Sequence, residues 1–436
     1  MQKIRQFVLI VGDIILSFLA LFSTLSIRYW GNFNSNILNQ HLLPFSIIYF
    51  VWLIFFYIFG LFDLKTIGPK GELIQRMIQC FAVCLIISLA FFYLIPFFGI
   101  TPKTNLILNI GIFAILIFLW RKLFYALFSS VYRANIAFLG KIPLALSLAN
   151  EIKNQPQLGY KLIGFLNEKS NLSTQIKKNK INVLVVSGNI EKNSNLASQL
   201  YECLPLKITF LSLDKAYEQI LGKIPIDFVG QAWFLKNLSE SEKSAYDKIK
   251  RITDFFIALL LIVFSSPLWL IAAIAIKLDD KGPIFYKQER VGKNGKNFLI
   301  FKFRSMITNA EKMGAQWASK KDPRVTAVGS VLKKFHIDEF PQMVNVLKGD
   351  LSLTGPRPER PPFVKQLEKE IPHYHLRNII KPGFTGWAQT RFIQYARSTQ
   401  ESHEKFQYDL YYIKNRSFLL DLGILLKTFL LFFKTE

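Results

Sequence analysis

Residues 255–276 read FFIALLLIVFSSPLWLIAAIAI, and how this run meets a membrane decides where the rest of the chain can lie. Its 22 residues are enough to cross a hydrocarbon core of about 30 Å as a helix rising about 1.5 Å per residue. Ser265, Ser266 and Pro267 stand at its middle, where proline removes a backbone donor and kinks a helix. Lys248, Lys250 and Arg251 precede the run, and Lys277, Lys281, Lys287 and Arg290 follow it. Basic residues favour the cytoplasmic side, so both ends prefer one face of the membrane. The expected structure is a re-entrant helix–break–helix hairpin at Ser266-Pro267, with the serine hydroxyls partly satisfying carbonyls freed at the break. The alternative, a kinked helix that spans, would place everything downstream outside the cell.

Upstream, four apolar stretches, about Phe7–Ile27, Leu42–Phe62, Leu73–Phe98 and Leu106–Phe128, are each long enough to span. Residues 1–132 are therefore expected to form a four-helix transmembrane bundle. Lys3 and Arg5 precede the first stretch, Lys65, Lys70 and Arg76 surround the second-to-third loop, and Arg121, Lys122 and Arg133 lie at or after the end of the fourth. The first-to-second loop, around Gly31–Gln40, has no Lys or Arg, which places both ends of the bundle in the cytoplasm. A cleaved signal peptide would be the other reading of residues 1–25, against which stand the following spans and the absence of an Ala-x-Ala-like site. Asp13 and Asp63 lie near span ends and read as interfacial.

From about Arg133 the texture becomes soluble α/β. Asn135–Leu139, Lys161–Phe165 and Val183–Val186 read as strands and Leu144–Ile152 as a helix, part of a doubly wound unit over residues 133–244 that ends in a connecting region near Lys207–Ser244. A dinucleotide site needs glycines where the first strand turns into its helix. The turn here, Leu139-Gly140-Lys141-Ile142-Pro143, has one glycine and a proline, so a Rossmann-like domain without the dinucleotide fingerprint is expected.

The net charge of +24 is spread without a basic tail and fits a cytoplasmic face against anionic lipid. Nucleic acid competes for that charge but no recognition motif accompanies it, so no nucleic-acid partner is expected. Three cysteines imply neither a disulfide framework nor a metal site.

Residues 245–436 carry the chemistry. Pro283–Tyr286 and Phe298–Phe303 read as strand-like pieces, Ala310–Trp317 as a helix, and Phe418–Phe433 as an interfacial helix. In Asp338-Glu339-Phe340-Pro341, proline suits the first turn of a helix, which places the two acids at the N-terminus of a helix running to about Lys348, where anions are favoured. Arg357 stands between Pro356 and Pro358, a stiff backbone from which a guanidinium can fork onto phosphate. Lys302 and Arg304 alternate onto one strand face, Arg290 lies in QERVGK, and Lys333 and Lys334 precede the acids. Adjacent carboxylates among cations suit phosphate handled with a divalent cation. A simple helix cap is the bland reading of Asp338 and Glu339 alone.

Taken in order, Ser266-Pro267, QERVGK (288–293), KFRSM (302–306), DEFPQ (338–342), GPRPERP (355–361), KPGFTGWAQ (381–389) and YDLYYIKN (408–415) closely resemble the bacterial sugar transferase family, the polyprenyl-phosphate hexose-1-phosphate transferases or monotopic phosphoglycosyl transferases. The four upstream stretches make the chain similar to the large polytopic branch that initiates exopolysaccharide, capsule or O-antigen synthesis. The resemblance implies an enzyme of the bacterial inner membrane with its catalytic domain on the cytoplasmic face. Such an enzyme moves the sugar 1-phosphate of a UDP-sugar to undecaprenyl phosphate with Mg²⁺ and releases UMP. It implies Asp338 as the nucleophile of a covalent phosphosugar intermediate, Glu339 as a Mg²⁺ ligand, and Arg357, with Pro356, Pro358, Lys333, Lys302, Arg304 and Arg290, as substrate-binding residues. A homodimer is a further expectation. Lys333 replaces the family's usual arginine, His336 stands near a position commonly serine, and Thr390-Arg391-Phe392 replaces the usual Asn-Gly-Arg. Two other functions compete: an NAD-dependent nucleotide-sugar enzyme, which the missing glycines disfavour, and a non-catalytic membrane scaffold.

Overall fold

The computed structural model describes residues 2–67, 72–95, 103–131, 133–168, 170–187, 194–238, 243–308, 310, 322–391 and 398–431. The helix expected at Ala310–Trp317 falls, past its first residue, outside the described residues, as does Phe392. The chain divides into two compact units, residues 1–216 and 217–436.

In the first unit, α1 (Gln2–Arg28), α2 (Ser35–Ile58), α3 (Glu72–Leu94) and α4 (Lys103–Ala126) correspond to the four apolar stretches. Aromatic rings fill the space between them, with Phe113 stacked on both Trp52 and Phe56 at 5.5 and 5.8 Å. Asp13 is fully buried, and Arg121 of α4 forks onto both of its oxygens at 2.6 and 2.7 Å. The bidentate pairing is what allows a charge there.

The same unit continues through β1 (Ala134–Leu139), α5 (Pro143–Asn154), β2 (Tyr160–Leu166), α6 (Leu172–Lys178), β3 (Val183–Val186), α7 (Ser194–Glu202) and β4 (Thr209–Ser212). The sheet is parallel in the order β2-β1-β3-β4. Three strands lie where expected. The fourth falls in the stretch read as a connection, because Thr-Phe-Leu-Ser is too short to show a period and is defined by pairing with β3. After β1 the chain turns through Gly140, at φ 89°, where a Cβ would come within 3.0 Å of the Ser187 side chain.

α8 (Leu213–Leu221) leads to the second unit, which holds α9 (Gln231–Asn237), α10 (Ser244–Asp280), β5 (Phe285–Val291), β6 (Asn297–Phe303), α11 (Ala327–Lys334), α12 (Gln342–Lys348), β7 (Ser352–Thr354), α13 (Pro361–Glu370), β8 (Gly383–Thr385), α14 (Trp387–Arg391), α15 (Thr399–Asn415) and α16 (Phe418–Leu431). The stretch before α10 is more than a linker: Ile224, Ile226, Val229 and Phe234 are buried in one core with Leu367, Tyr374, Phe406 and Ile413. The antiparallel β5–β6 ribbon starts at Phe285 rather than Pro283, since a proline has no donor for the ladder, and it takes in Arg290.

The expected break at Ser266-Pro267 does not interrupt α10, which runs as one helix of 37 residues with Pro267 inside. Proline leaves the Val263 carbonyl without its N–H partner, and the Ser266 hydroxyl donates to that carbonyl at 2.8 Å. The serine compensation is present, and the helix continues through the proline. On either side of Pro267 the helix packs against the same unit: Ala258 with Met343, Val346 and Leu351, and Ala272 and Ile276 with Phe303 and Leu332. Phe256, Leu260, Phe264, Leu270 and Ile271 remain exposed. Among the described residues five helices, α1 to α4 and α10, are long and apolar enough to cross a membrane, as in a multi-pass membrane protein.

Candidate active site

Asp338 and Glu339 lie in a tight 3-10 turn, Ile337–Glu339, entered through His336 in the left-handed region at φ 52°. The helix expected to start near Asp338 starts at Gln342, because Pro341 takes the cap position and bonds such as Phe340 N–H to Ile337 O, 3.1 Å, keep the preceding turn tight. Both acids are buried, 6% and 5% exposed.

Their environments differ. Glu339 Oε1 accepts from Lys302 Nζ at 2.8 Å and from Arg357, and Oε2 accepts from Arg357 at 3.2 Å. Burial opposes its ionisation, but Arg357 and Lys302 outweigh burial and hold it well below the usual carboxylate range. Asp338 is pushed up to about 7, first by burial and then by the adjacent Glu339 charge, against the pull of Lys302, Lys333 and Arg357. One acid is thus held as an anion by its cations, while burial and the neighbouring Glu339 charge disfavour the ionised form of the other.

Arg357 is aimed by its backbone. Its carbonyl accepts from Arg377 at 2.9 Å, the Pro358 carbonyl from Arg290 at 3.0 Å, and the Glu359 carbonyl from the Val291 N–H at 3.0 Å. From the other side, Gly383 N–H donates to Pro356 O at 2.9 Å and Gly355 N–H to Thr385 O at 2.8 Å. The glycines of KPGFTGW permit this approach: a Cβ on Gly383 or on Gly386 would lie 2.1 Å from Gly355 backbone atoms.

The structure thus brings together Asp338, Glu339, Lys302, Lys333 and Arg357. Lys333 lies within electrostatic reach of Asp338 and Asp322; burial lowers its ammonium while those carboxylates support it. Pro356 and Pro358 flank Arg357 as expected. Arg290, expected among the substrate-binding residues, donates to the Pro358 carbonyl and to Gln288 and lies within electrostatic reach of Arg357 and Glu339. Arg304 does not share the Lys302 arrangement: it follows β6, and its guanidinium fills the space beside Gly282, within reach of the Asp279 charge. Ser266 and Pro267 belong to α10.

Sequence reasoning missed the ionic frame behind the Arg357 loop. Arg377 pairs with Asp409 at 2.8 Å, and Lys405 with Glu359 at 2.6 Å. Burial opposes ionisation of Glu359, yet Lys405, Arg377 and Arg290 bring it down to about 2. Lys405 and Asp409 sit four residues apart on α15, and that spacing in a helix was the available signal. Gln342, four residues past Asp338, is buried with an Nε2 that makes no hydrogen bond.

No group of three or more His, Cys, Asp or Glu able to hold a metal occurs among the described residues. Magnesium needs only one or two carboxylates, with substrate phosphates and water completing its shell. Glu339 Oε2, which accepts one bond, and the Asp338 carboxylate beside it fit that requirement.

Fold and site define a membrane-associated protein with an acid pair set among fixed cations. Residues 245–435 match the family described as Bacterial sugar transferase. The chain is 32% identical over 321 residues to the UDP-glucose:undecaprenyl-phosphate glucose-1-phosphate transferase of Klebsiella pneumoniae, covering 68% of this chain and 67% of that protein. It is 31% identical over 318 residues to the transferase of the same name in Escherichia coli, covering 67% and 66%. Over 229 residues it is 44% identical to the UDP-N-acetylgalactosamine-undecaprenyl-phosphate N-acetylgalactosaminephosphotransferase of Aeromonas hydrophila, where the match spans about half of each chain, 52% and 53%. The chain belongs to the bacterial sugar transferase family.

Proposed function

We propose that this protein transfers a sugar 1-phosphate from a UDP-sugar to undecaprenyl phosphate in two displacements, starting a polysaccharide at the cytoplasmic face of the bacterial inner membrane. The observation that carries the reading is the division of labour between the acids, Glu339 locked to Lys302 and Arg357 while Asp338 makes no such bond. An Asp338 oxygen attacks the phosphorus that bears the sugar. The bond to UMP breaks, and UMP leaves with its electron pair. A phosphate oxygen of the lipid then attacks the same phosphorus, which restores the Asp338 carboxylate and gives a sugar diphospholipid.

Two anions approach each other in both steps, so fixed positive charge is required. Arg357 and Lys302 supply it from one side and Lys333 from the Asp338 side. Mg²⁺, held by Glu339 and Asp338, would add Lewis-acid stabilisation of the phosphoryl oxygens. A re-entrant placement then requires α10 to bend at Pro267 within its continuous helix, a reading supported by the packing of both halves on one folded unit and by the apolar exposed middle.

The test is UMP release by the purified full chain with undecaprenyl phosphate, Mg²⁺ and, in turn, UDP-N-acetylgalactosamine, UDP-glucose and UDP-galactose. One donor should turn over and Asp338→Asn should abolish it. Activity that survives Asp338→Asn would refute the nucleophile.

A further inference from the structure

A second cluster of cations lies at the other end of α12 from the acid pair. A cleft open to solvent is lined by Arg251, Lys293 and Lys381 together with Lys250, Ser352 and Thr354. Arg251, from the start of α10, donates to the Val346 and Leu347 carbonyls at the C-terminal end of α12. Lys293 comes from the turn between β5 and β6, and Lys381 from the residues before β8.

The charges are unevenly matched. Lys250 is neutralised by Asp421 at 3.0 Å and Asp254 at 3.5 Å, and Arg416 at the rim pairs with Asp247 at 3.3 Å. Arg251 reaches two carbonyls and the Phe255 ring but no carboxylate, and neither Lys293 nor Lys381 makes an ion pair among the described residues. Burial, and then the positive charges of Arg251 and Lys293, depress the Lys381 ammonium; Asp254 and Asp350 offset this only in part. Three cations from three elements therefore repel one another around one opening, a cost that a bound anion removes. The cleft also lies four residues before Phe255, where α10 becomes continuously apolar, at the level at which a lipid headgroup would sit beside it.

We infer that the Arg251–Lys293–Lys381 cleft binds a phosphate group, from a phospholipid headgroup or from free phosphate, at a site separate from Asp338. The inference does not rest on the proposed transfer reaction. Unfolding midpoints of the full chain in a neutral detergent would be followed during titration with inorganic phosphate, against chloride at matched ionic strength, and with phosphatidylglycerol against phosphatidylcholine. Wild type and Asp338→Asn should both be stabilised. Lys293→Gln/Lys381→Gln should need roughly tenfold more of the anion, while Lys293→Arg/Lys381→Arg, which keeps the charge, should respond as wild type. Tighter response to phosphatidylglycerol than to phosphate assigns the site to a headgroup, and the reverse assigns it to free phosphate. The proposal is overturned if wild type responds to neither, or if the glutamine pair responds as wild type does.

Discussion

At the residue scale the site depends on charge geometry more than on charge count. Arg357 holds Glu339 through two nitrogens, which a lysine cannot reproduce. Arg357→Lys should therefore lower kcat/KM for UMP release by about 10- to 100-fold while the protein stays folded. Glu359 belongs to the frame behind that arginine. Its folded-state value, about 2, lies below the ordinary 4.5, so its stabilising effect is present above 4.5 and lost as pH falls through about 2. Glu359→Gln would leave Arg377 and Lys405 buried without it, at a cost of about 3–5 kcal/mol near pH 7. Its unfolding midpoint should lie well below wild type at pH 7, and the gap should close as pH falls from 4.5 toward 2; a gap independent of pH would contradict the ionic role.

At the scale of elements, α10 shows how a helix carries an internal proline. Ser266→Ala should leave the Val263 carbonyl unpaired and lower stability by about 1 kcal/mol, whereas Ser266→Ala with Pro267→Ala should recover it, because an alanine in place of the proline would supply the missing N–H. Thermal unfolding of the two variants decides this. The close approach of the Gly355 and Gly383 backbones makes a second case: Gly383→Ala should displace the Arg357 loop and abolish UMP release. These elements also mark how much the sequence could disclose. Apolar length located α1 to α4 and α10, and residue order located Asp338, Glu339 and Arg357, because both signals are local. The pairing of β4 and the placement of Arg290 and Arg304 depend on partners distant in the chain, such as Val183–Val186, Pro358 and Gly282, which no local period encodes. Within the connecting region expected near Lys207–Ser244, Ile224, Ile226, Val229 and Phe234 show no local period and are buried only where Tyr374 and Phe406 join them.

At the scale of the molecule, the first unit keeps a buried ion pair inside an apolar bundle. Removing either partner leaves a charge without compensation, so Arg121→Ala should cost about 3–5 kcal/mol and Arg121→Ala with Asp13→Asn should recover part of it. Detergent-solubilised unfolding midpoints are the readout. The second unit contains the complete acid pair and its cations, so chemistry is assigned to residues 217–436. The central claim is that Asp338 carries the sugar phosphate between donor and lipid. Mass spectrometry of the peptide bearing Asp338, after incubation with Mg²⁺ and the UDP-sugar but no lipid acceptor, tests it most directly. A phosphosugar adduct on Asp338, with UMP released in proportion to enzyme, is the predicted result; UMP formed only when undecaprenyl phosphate is present, with no adduct, would contradict it.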